Sequence, residues 1–476
     1  MIWENKTQNI SREKNFIKNL IIYSIGDFGS KFLGFVLLPF YTFYLSTKDY
    51  GYFDLITTTL TLLTPLITFQ IVDGLYRYLL EAKDINQKCH IISGSFAIVI
   101  RNLLISNSLY ILVSLFVNFK FKYLILIQLN FSIISSMWMQ IARGLRNNIE
   151  YSIAGIITTG FTLICNIIFI VFFNFRVNGL IIASIISAII TILYLETVIK
   201  VRRYINIKND NSKIHRMLLS FSLPLLPNTL GWWIMNVSDR YILNYYKGMD
   251  ANGIYAVANK FPSIIFLINS IFYLAWQESS ISEYNSTDRD KFYSKMFNQF
   301  MIFQFTVTFI LLTFTRLLMS YLVNSNFSLA WKYVPFLYFG ALFSAFSSFY
   351  GTGYLCSKET KGAFTTSVYG ALLNIIINLI AVPYIGIQGA SLSTMTAFLL
   401  MWILRVNQTK KYFTISIDMP KLLLFLVISI VLIWFYYINS FYIQISAILL
   451  SLIIFVIFNH NTIRKSLHLI KYKFIS

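Results

Sequence analysis

Cysteine is nearly absent. Cys89, Cys165 and Cys356 are the three in 476 residues, without Cys-x-x-Cys spacing, so neither a disulfide framework nor a thiolate site is expected. The four histidines, His90, His215, His460 and His468, show no ligand spacing, and no metal or cofactor is expected. Charge is scarce at 12% of residues, and acids are scarcer still, 19 against 39 Lys and Arg. No Gly-x-x-x-x-Gly-Lys-Ser/Thr loop occurs, which argues against a nucleotide-driven pump. Residues 1–19 are polar and enter an apolar run without a small-residue cleavage signature, and read as a retained cytoplasmic segment.

What is present is apolar. Hydrophobic residues make up 57% of the chain and mean hydropathy is +0.65, far beyond what a soluble domain of this length needs. About 20 apolar residues cross a bilayer core, and runs of that size recur from Leu20–Leu45 to Ile443–Phe458. Fourteen spans are expected, among them Tyr52–Leu80, Leu218–Tyr245, Gly253–Trp276 and Gly386–Leu404. The fold class is all-α and polytopic.

The net charge of +20 has a membrane explanation. With fourteen spans, 27 of the 39 basic residues fall on the side of the termini. Seven (Lys48, Lys120, Lys122, Arg176, Lys247, Arg316, Lys332) fall opposite, and five lie within spans. Lys and Arg mark cytoplasmic loops, so both termini are expected in the cytoplasm. Nucleic-acid binding would need a folded basic module, and none fits between the spans.

Internal repetition gives the architecture. STKDYGYFDLITT after the first span parallels KGMDANGIYAVAN after the seventh, pairing Gly51 with Gly253. FNFRVNGLIIASI parallels YIGIQGASLSTM, pairing Gly179 with Gly389, and Asn166 and Asn378 precede them. Two six-helix lobes plus two helices follow: residues 1–199, a basic cytoplasmic linker 200–217, a second lobe 218–408, and a last pair with a cytoplasmic tail over 409–476.

The charges inside the spans carry the functional reading. An ionised side chain in a membrane helix costs roughly 2.5–3.5 kcal/mol on insertion scales and faces protein or a wet cavity. The cations are Lys31, Arg77, Arg101, Arg240 and Lys260; the anions are Asp27, Asp73 and Asp239. They gather in the first helices of both halves, which places them at the interface of the halves. Pro39, Pro65, Pro224, Pro227 and Pro262 lie in the same helices and are expected to kink them. Intrahelical pairing is the plain alternative for Lys31 (with Asp27) and Arg77 (with Asp73 or Glu81), each with an acid four residues away. Asp239 and Arg240 are adjacent and point ~100° apart, so they are expected to neutralise each other poorly. The two excess positive charges suit an anionic, hydroxyl-rich cargo, and Arg matches phosphate oxygens. Trp232, Trp233 and Tyr241 could stack on sugars, although aromatic residues also collect at membrane interfaces.

With KDYGYFDL after the first span, SDRYIL in the seventh and INLIAVPYIGIQGASLST across the eleventh and twelfth, the whole chain resembles the polysaccharide-biosynthesis flippases. These belong to the multidrug/oligosaccharidyl-lipid/polysaccharide exporter superfamily. The resemblance implies translocation of an undecaprenyl-diphosphate-linked oligosaccharide, by alternating access, to the outer face of a bacterial plasma membrane. The product would be an O-antigen or capsule, with membrane lipids and a polymerase or export complex as partners. It also implies a cationic cavity, mapped onto Lys31, Arg77, Arg101, Arg240 and Lys260, with Asp27, Asp73 and Asp239 as charge partners or coupling groups. A drug/cation antiporter of the same superfamily would favour an acidic cavity. A lipid-linked glycosyltransferase or polymerase would need catalytic groups in sizeable outer loops, and those loops are short. No catalytic residue is expected.

Overall fold

The computed structural model describes residues 35, 37–206, 212–357, 359 and 361–475, with side chains up to 460. Asp27, Lys31 and most of the first expected span lie outside these residues. Everything described is helix, turn or short connection, without a strand among the described residues. Among the described residues, eleven helices are long and apolar enough to cross a membrane, or twelve if one bent pair counts as one span. The chain is a multi-pass membrane protein. Contacts divide it into two compact units that meet in sequence at Leu230/Gly231.

In the N-terminal unit the second expected span, Tyr52–Leu80, is not one helix. Helix α1 (Thr47–Thr68) and α2 (Ile71–Glu81) bend 58° apart. Pro65 cannot donate within α1, and the chain bends through Phe69 (φ 50°) and Gln70 (φ 57°), whose N–H groups converge on the Pro65 carbonyl. The buried side chain of Asn102 donates to the freed Ile67 carbonyl at 2.8 Å, so the break leaves no cost there. Then follow α3 (Ile85–Phe116), α4 (Lys122–Gly144), α5 (Asn148–Ile167) and α6 (Arg176–Ile199). Helix α7 (Ser212–Ser222) carries the second half of the basic segment and packs on α2 and α3. Ser222 fills the notch left by Gly74, and Ile214 lies over Gly94.

The C-terminal unit departs from the expected spans in two ways. Helix α8 (Leu226–Lys260) runs past the expected end at Tyr245, and a residue outside helical geometry, Gly248 (φ 83°), kinks it. The chain breaks at Phe261–Pro262 before α9 (Ser263–Ser282), so Gly253–Trp276 is no single helix. Proline thus sits at this break, at the 3₁₀ turn Leu223–Leu225 and ahead of the α1–α2 bend. Next come α10 (Arg289–Leu322), α11 (Val334–Cys356), α12 (Lys361–Ile385), α13 (Ile387–Thr409), α14 (Met419–Tyr437) and α15 (Phe441–Ile475). Helix α11 is the core of the unit. It is enclosed on most sides, with Phe346 and Phe349 in an aromatic cluster with Phe297, Phe300 and Trp276.

The paired glycines do equivalent work. A Cβ at Gly179 would lie 2.9 Å from the Phe169 Cβ, and one at Gly389 only 2.7 Å from the Ala381 carbonyl carbon. Each lets its helix fold back closely on the preceding one. The turn before each passes through a residue of positive φ three positions earlier, Arg176 (φ 46°) and Gly386 (φ 58°, ψ −131°).

Candidate functional site

The charged core belongs to α8. Asp239 is fully buried and Arg240 is 8% exposed. The expectation that neighbours on a helix cannot neutralise each other fails here. The Arg240 guanidinium swings back, so that Nη1 lies 3.3 Å from Asp239 Oδ1 while donating to the Asn236 carbonyl at 2.7 Å. Its length overcomes the angular offset that would defeat a shorter side chain. The other carboxylate oxygen accepts from Tyr255 Oη and from Thr394 Oγ1, the latter at 3.1 Å. The guanidinium also sits 5.6 Å from the Tyr255 ring centre. A buried pair so supported is costly to break from one side, at about 3–5 kcal/mol.

Arg405 was missed from sequence. The apolar run ends at Leu404, which by sequence makes Arg405 a loop cation. Helix α13 instead continues to Thr409, and Arg405 is 3% exposed. Nη1 donates to the Ser347 carbonyl at 2.8 Å, Nε to Thr366 Oγ1 at 3.2 Å, and Nη2 reaches Ser367 Oγ at 3.5 Å. The rings of Trp232 and Tyr354 flank it at 5.7 and 5.9 Å. It makes no ion pair with a described residue, so its charge rests on neutral acceptors and aromatic faces. Phe398, Met401, Trp402, Arg405 and Thr409 are buried at helical spacing, and that pattern was the available signal.

Each of the other described residues singled out from sequence has its own surroundings within its unit. Arg77 pairs with Glu81 at 2.7 Å, both side chains 54% exposed, which is the plain intrahelical reading. Arg101 is exposed on the face of α3 that also carries Leu104 and Ile105. Lys260 is the half-buried last residue of α8, where a cation complements the helix dipole. Asp73 stands in the first turn of α2 and accepts from Gln70 Nε2 at 2.7 Å. Trp232 is engaged with Phe398 as well as Arg405, and Trp233 with Tyr241.

Among the described residues of the N-terminal unit, two cavities bear on the site. One, of about 470 Å³, is lined by Asp73 and Gln70 with Thr61, Thr64, Thr68 and Thr229. The other, of about 460 Å³, lies among α4, α5 and α6 and is walled by serine and threonine, without a charged side chain. Both include Ser132 and Ser136 of α4. Uncharged hydroxyls gave the sequence reading no signal.

Outside the spans, the connection after α11 is tied to the one after α13. Glu359 accepts from Lys411 Nζ at 2.8 Å and from Tyr412 Oη at 2.6 Å. The Lys411 hydrogen bond holds the Glu359 carboxyl below its ordinary value and pushes the lysine above its own.

This bundle has the fold of the MOP transporter superfamily. The inward closed lipid II flippase MurJ superposes with a TM-score of 0.70 at 17% identity, over 94% of this chain and 100% of that one. An inward-facing multidrug resistance MATE family transporter gives 0.67 at 13% identity, over 80% and 95%. The chain belongs to the polysaccharide biosynthesis protein family, whose model matches residues 16–276. An uncharacterised membrane protein of Methanocaldococcus jannaschii, MJ1068, is 26% identical over 204 residues. That match takes in 41% of this chain and 39% of the relative's length.

Proposed function

We propose that the protein moves an undecaprenyl-diphosphate-linked oligosaccharide from the cytoplasmic to the outer face of a bacterial plasma membrane by alternating access. The observation that carries this reading is membership of a polysaccharide biosynthesis family by a chain that is almost wholly membrane helix. The fold shared with a lipid II flippase supports a diphosphate-linked cargo, Arg405 brings a buried positive charge with no ion pair to a described residue, and Arg240, whose charge Asp239 balances, is a proposed diphosphate contact. Both termini lie in the cytoplasm in this reading, and O-antigen or capsule synthesis is the process served. Lys31, Arg77, Arg101 and Lys260 remain the proposed further contacts to diphosphate. Depleting the protein from a producing host should remove surface polysaccharide and build up lipid-linked repeat units at the inner face. Unchanged surface polymer after depletion overturns the reading.

One observation favours the drug/cation antiporter instead. Asp73 is a carboxylate in the wall of an open cavity, as a cationic substrate or a coupling ion would require. Efflux of a cationic dye that Asp73→Asn abolishes, with surface polymer unaffected, would establish that alternative.

A further inference from the structure

The uncharged cavity among α4, α5 and α6 has no part in the charge-based mechanism. Its polar lining is hydroxyl: Ser132, Ser135 and Ser136 from α4, Ser152, Thr158, Thr159 and Thr162 from α5, and Ser184 and Ser187 from α6, with Met139, Tyr151 and Ala188 supplying apolar surface between them. Small polar residues between membrane helices ordinarily bring the helices together. Here they leave about 460 Å³ open, within the size range of small-molecule sites. A Cβ built at Gly155, which also lines the space, would meet nothing within 4 Å.

The hydrogen bonds give the wall a polarity. Ser132 and Ser136 donate to the Leu129 and Ile133 carbonyls at 2.9 Å. Thr158, Thr159 and Thr162 donate to the carbonyls of Ala154, Gly155 and Thr158 at 2.7–2.9 Å, and Ser184 to Leu180 at 2.9 Å. With those protons committed to backbone, the oxygens present their remaining lone pairs as acceptors. Ser135 is the exception. It is only 9% exposed, it lines the cavity, and its hydroxyl has no partner among the described residues, so it is free to donate or accept.

We infer that this cavity is a subsite for the uncharged carbohydrate part of the cargo, separate from the arginines that would meet its diphosphate. A wall of neutral acceptors with a free hydroxyl matches a ligand rich in O–H donors, and lacks the counter-charge that would hold phosphate. The inference rests on the flippase reading above.

The test uses wild type, Gly155→Leu and Gly160→Leu in lipid nanodiscs. Gly160 lies on the same helix, also has open space at its Cβ, and does not line the cavity, so it controls for the substitution itself. The probes are undecaprenyl diphosphate and the lipid-linked oligosaccharide fraction of the producing host. Wild type and Gly160→Leu should prefer the sugar-bearing lipid by about tenfold, the yield of one or two neutral hydrogen bonds. Gly155→Leu should bring that ratio to about one while binding bare undecaprenyl diphosphate as before. Undiminished preference in Gly155→Leu overturns the subsite and leaves the flippase reading standing. So does a preference left intact while the effect of sodium concentration or pH on binding disappears, which would make the cavity an ion site. Wild type that binds neither probe overturns the flippase reading itself.

Discussion

The two units share a close helix approach at a glycine, yet they treat polarity in opposite ways. In the N-terminal unit the described lysines and arginines are exposed or half-buried, and the interior polar groups are hydroxyls and amides. In the C-terminal unit lie all the buried charges among the described residues: Asp239, Arg240 and Arg405. A neutral hydroxyl on a helix satisfies itself against its own backbone, so it can line open space at little cost. A buried charge cannot: Asp239 reaches Thr394 of α13, and Arg405 reaches Ser347 of α11 and Thr366 and Ser367 of α12. One unit can therefore hold cavities with few structural commitments, while the other is cross-tied by its charges.

That contrast can be broken by substitution. The largest effect is expected from Asp239→Asn or Arg240→Met, each leaving a buried partner uncompensated, at about 3–5 kcal/mol. The double variant should lose less than the sum of the two, because the penalty is shared. Thermal unfolding in detergent, followed by tryptophan fluorescence, measures both. If the double loss equals the sum, the pair is no unit.

Arg405→Ala should follow, at roughly 2–3 kcal/mol for its charge-assisted hydrogen bonds and ring contacts. Arg405→Lys should recover less than half, since an ammonium lacks the fork that reaches Ser347, Thr366 and Ser367 together. Full rescue by lysine in the same melting assay would mean that charge alone matters there.

Smaller still is the tie between Glu359 and Lys411. The depressed carboxyl contributes stability above its ordinary value and loses it as pH falls through the lowered folded value; the raised lysine contributes below its ordinary value and loses it as pH rises through its own. Wild type should therefore melt slightly above Glu359→Gln at neutral pH, and the two should converge in acid. A gap that persists at acid pH would remove the ion pair as its cause. The smallest effect belongs to Arg77→Ala, at no more than about 0.5 kcal/mol for an exposed i,i+4 pair. A loss the size of Arg240's would show that the units treat charge alike.

Much of the bundle was legible because membrane helices announce themselves by apolar length, and Arg240 because a charge inside such a run stands out. Pro65, Pro224 and Pro262 marked where helices break. The exact geometry of each break escaped, since it depends on groups such as Asn102 that arrive from elsewhere in the fold. Arg405 escaped for a different reason: its helix outlasts its apolar run, and only burial by α11 and α12 makes it an interior residue. Asp239 and Arg240 were found but mispaired, because angular spacing on a helix wheel ignores how far a guanidinium can reach. The hydroxyl cavity escaped because serine and threonine are common on membrane helices that enclose nothing.

The turns at Arg176 and Gly386 hold one more lesson. Both have a positive φ, 46° at Arg176 and 58° at Gly386, but Gly386 combines it with ψ −131°, a backbone that glycine holds at little cost and a Cβ opposes. The turn before Gly389 therefore needs its glycine, whereas an arginine suffices before Gly179. The two halves thus agree in how closely their helices approach rather than in how the chain gets there.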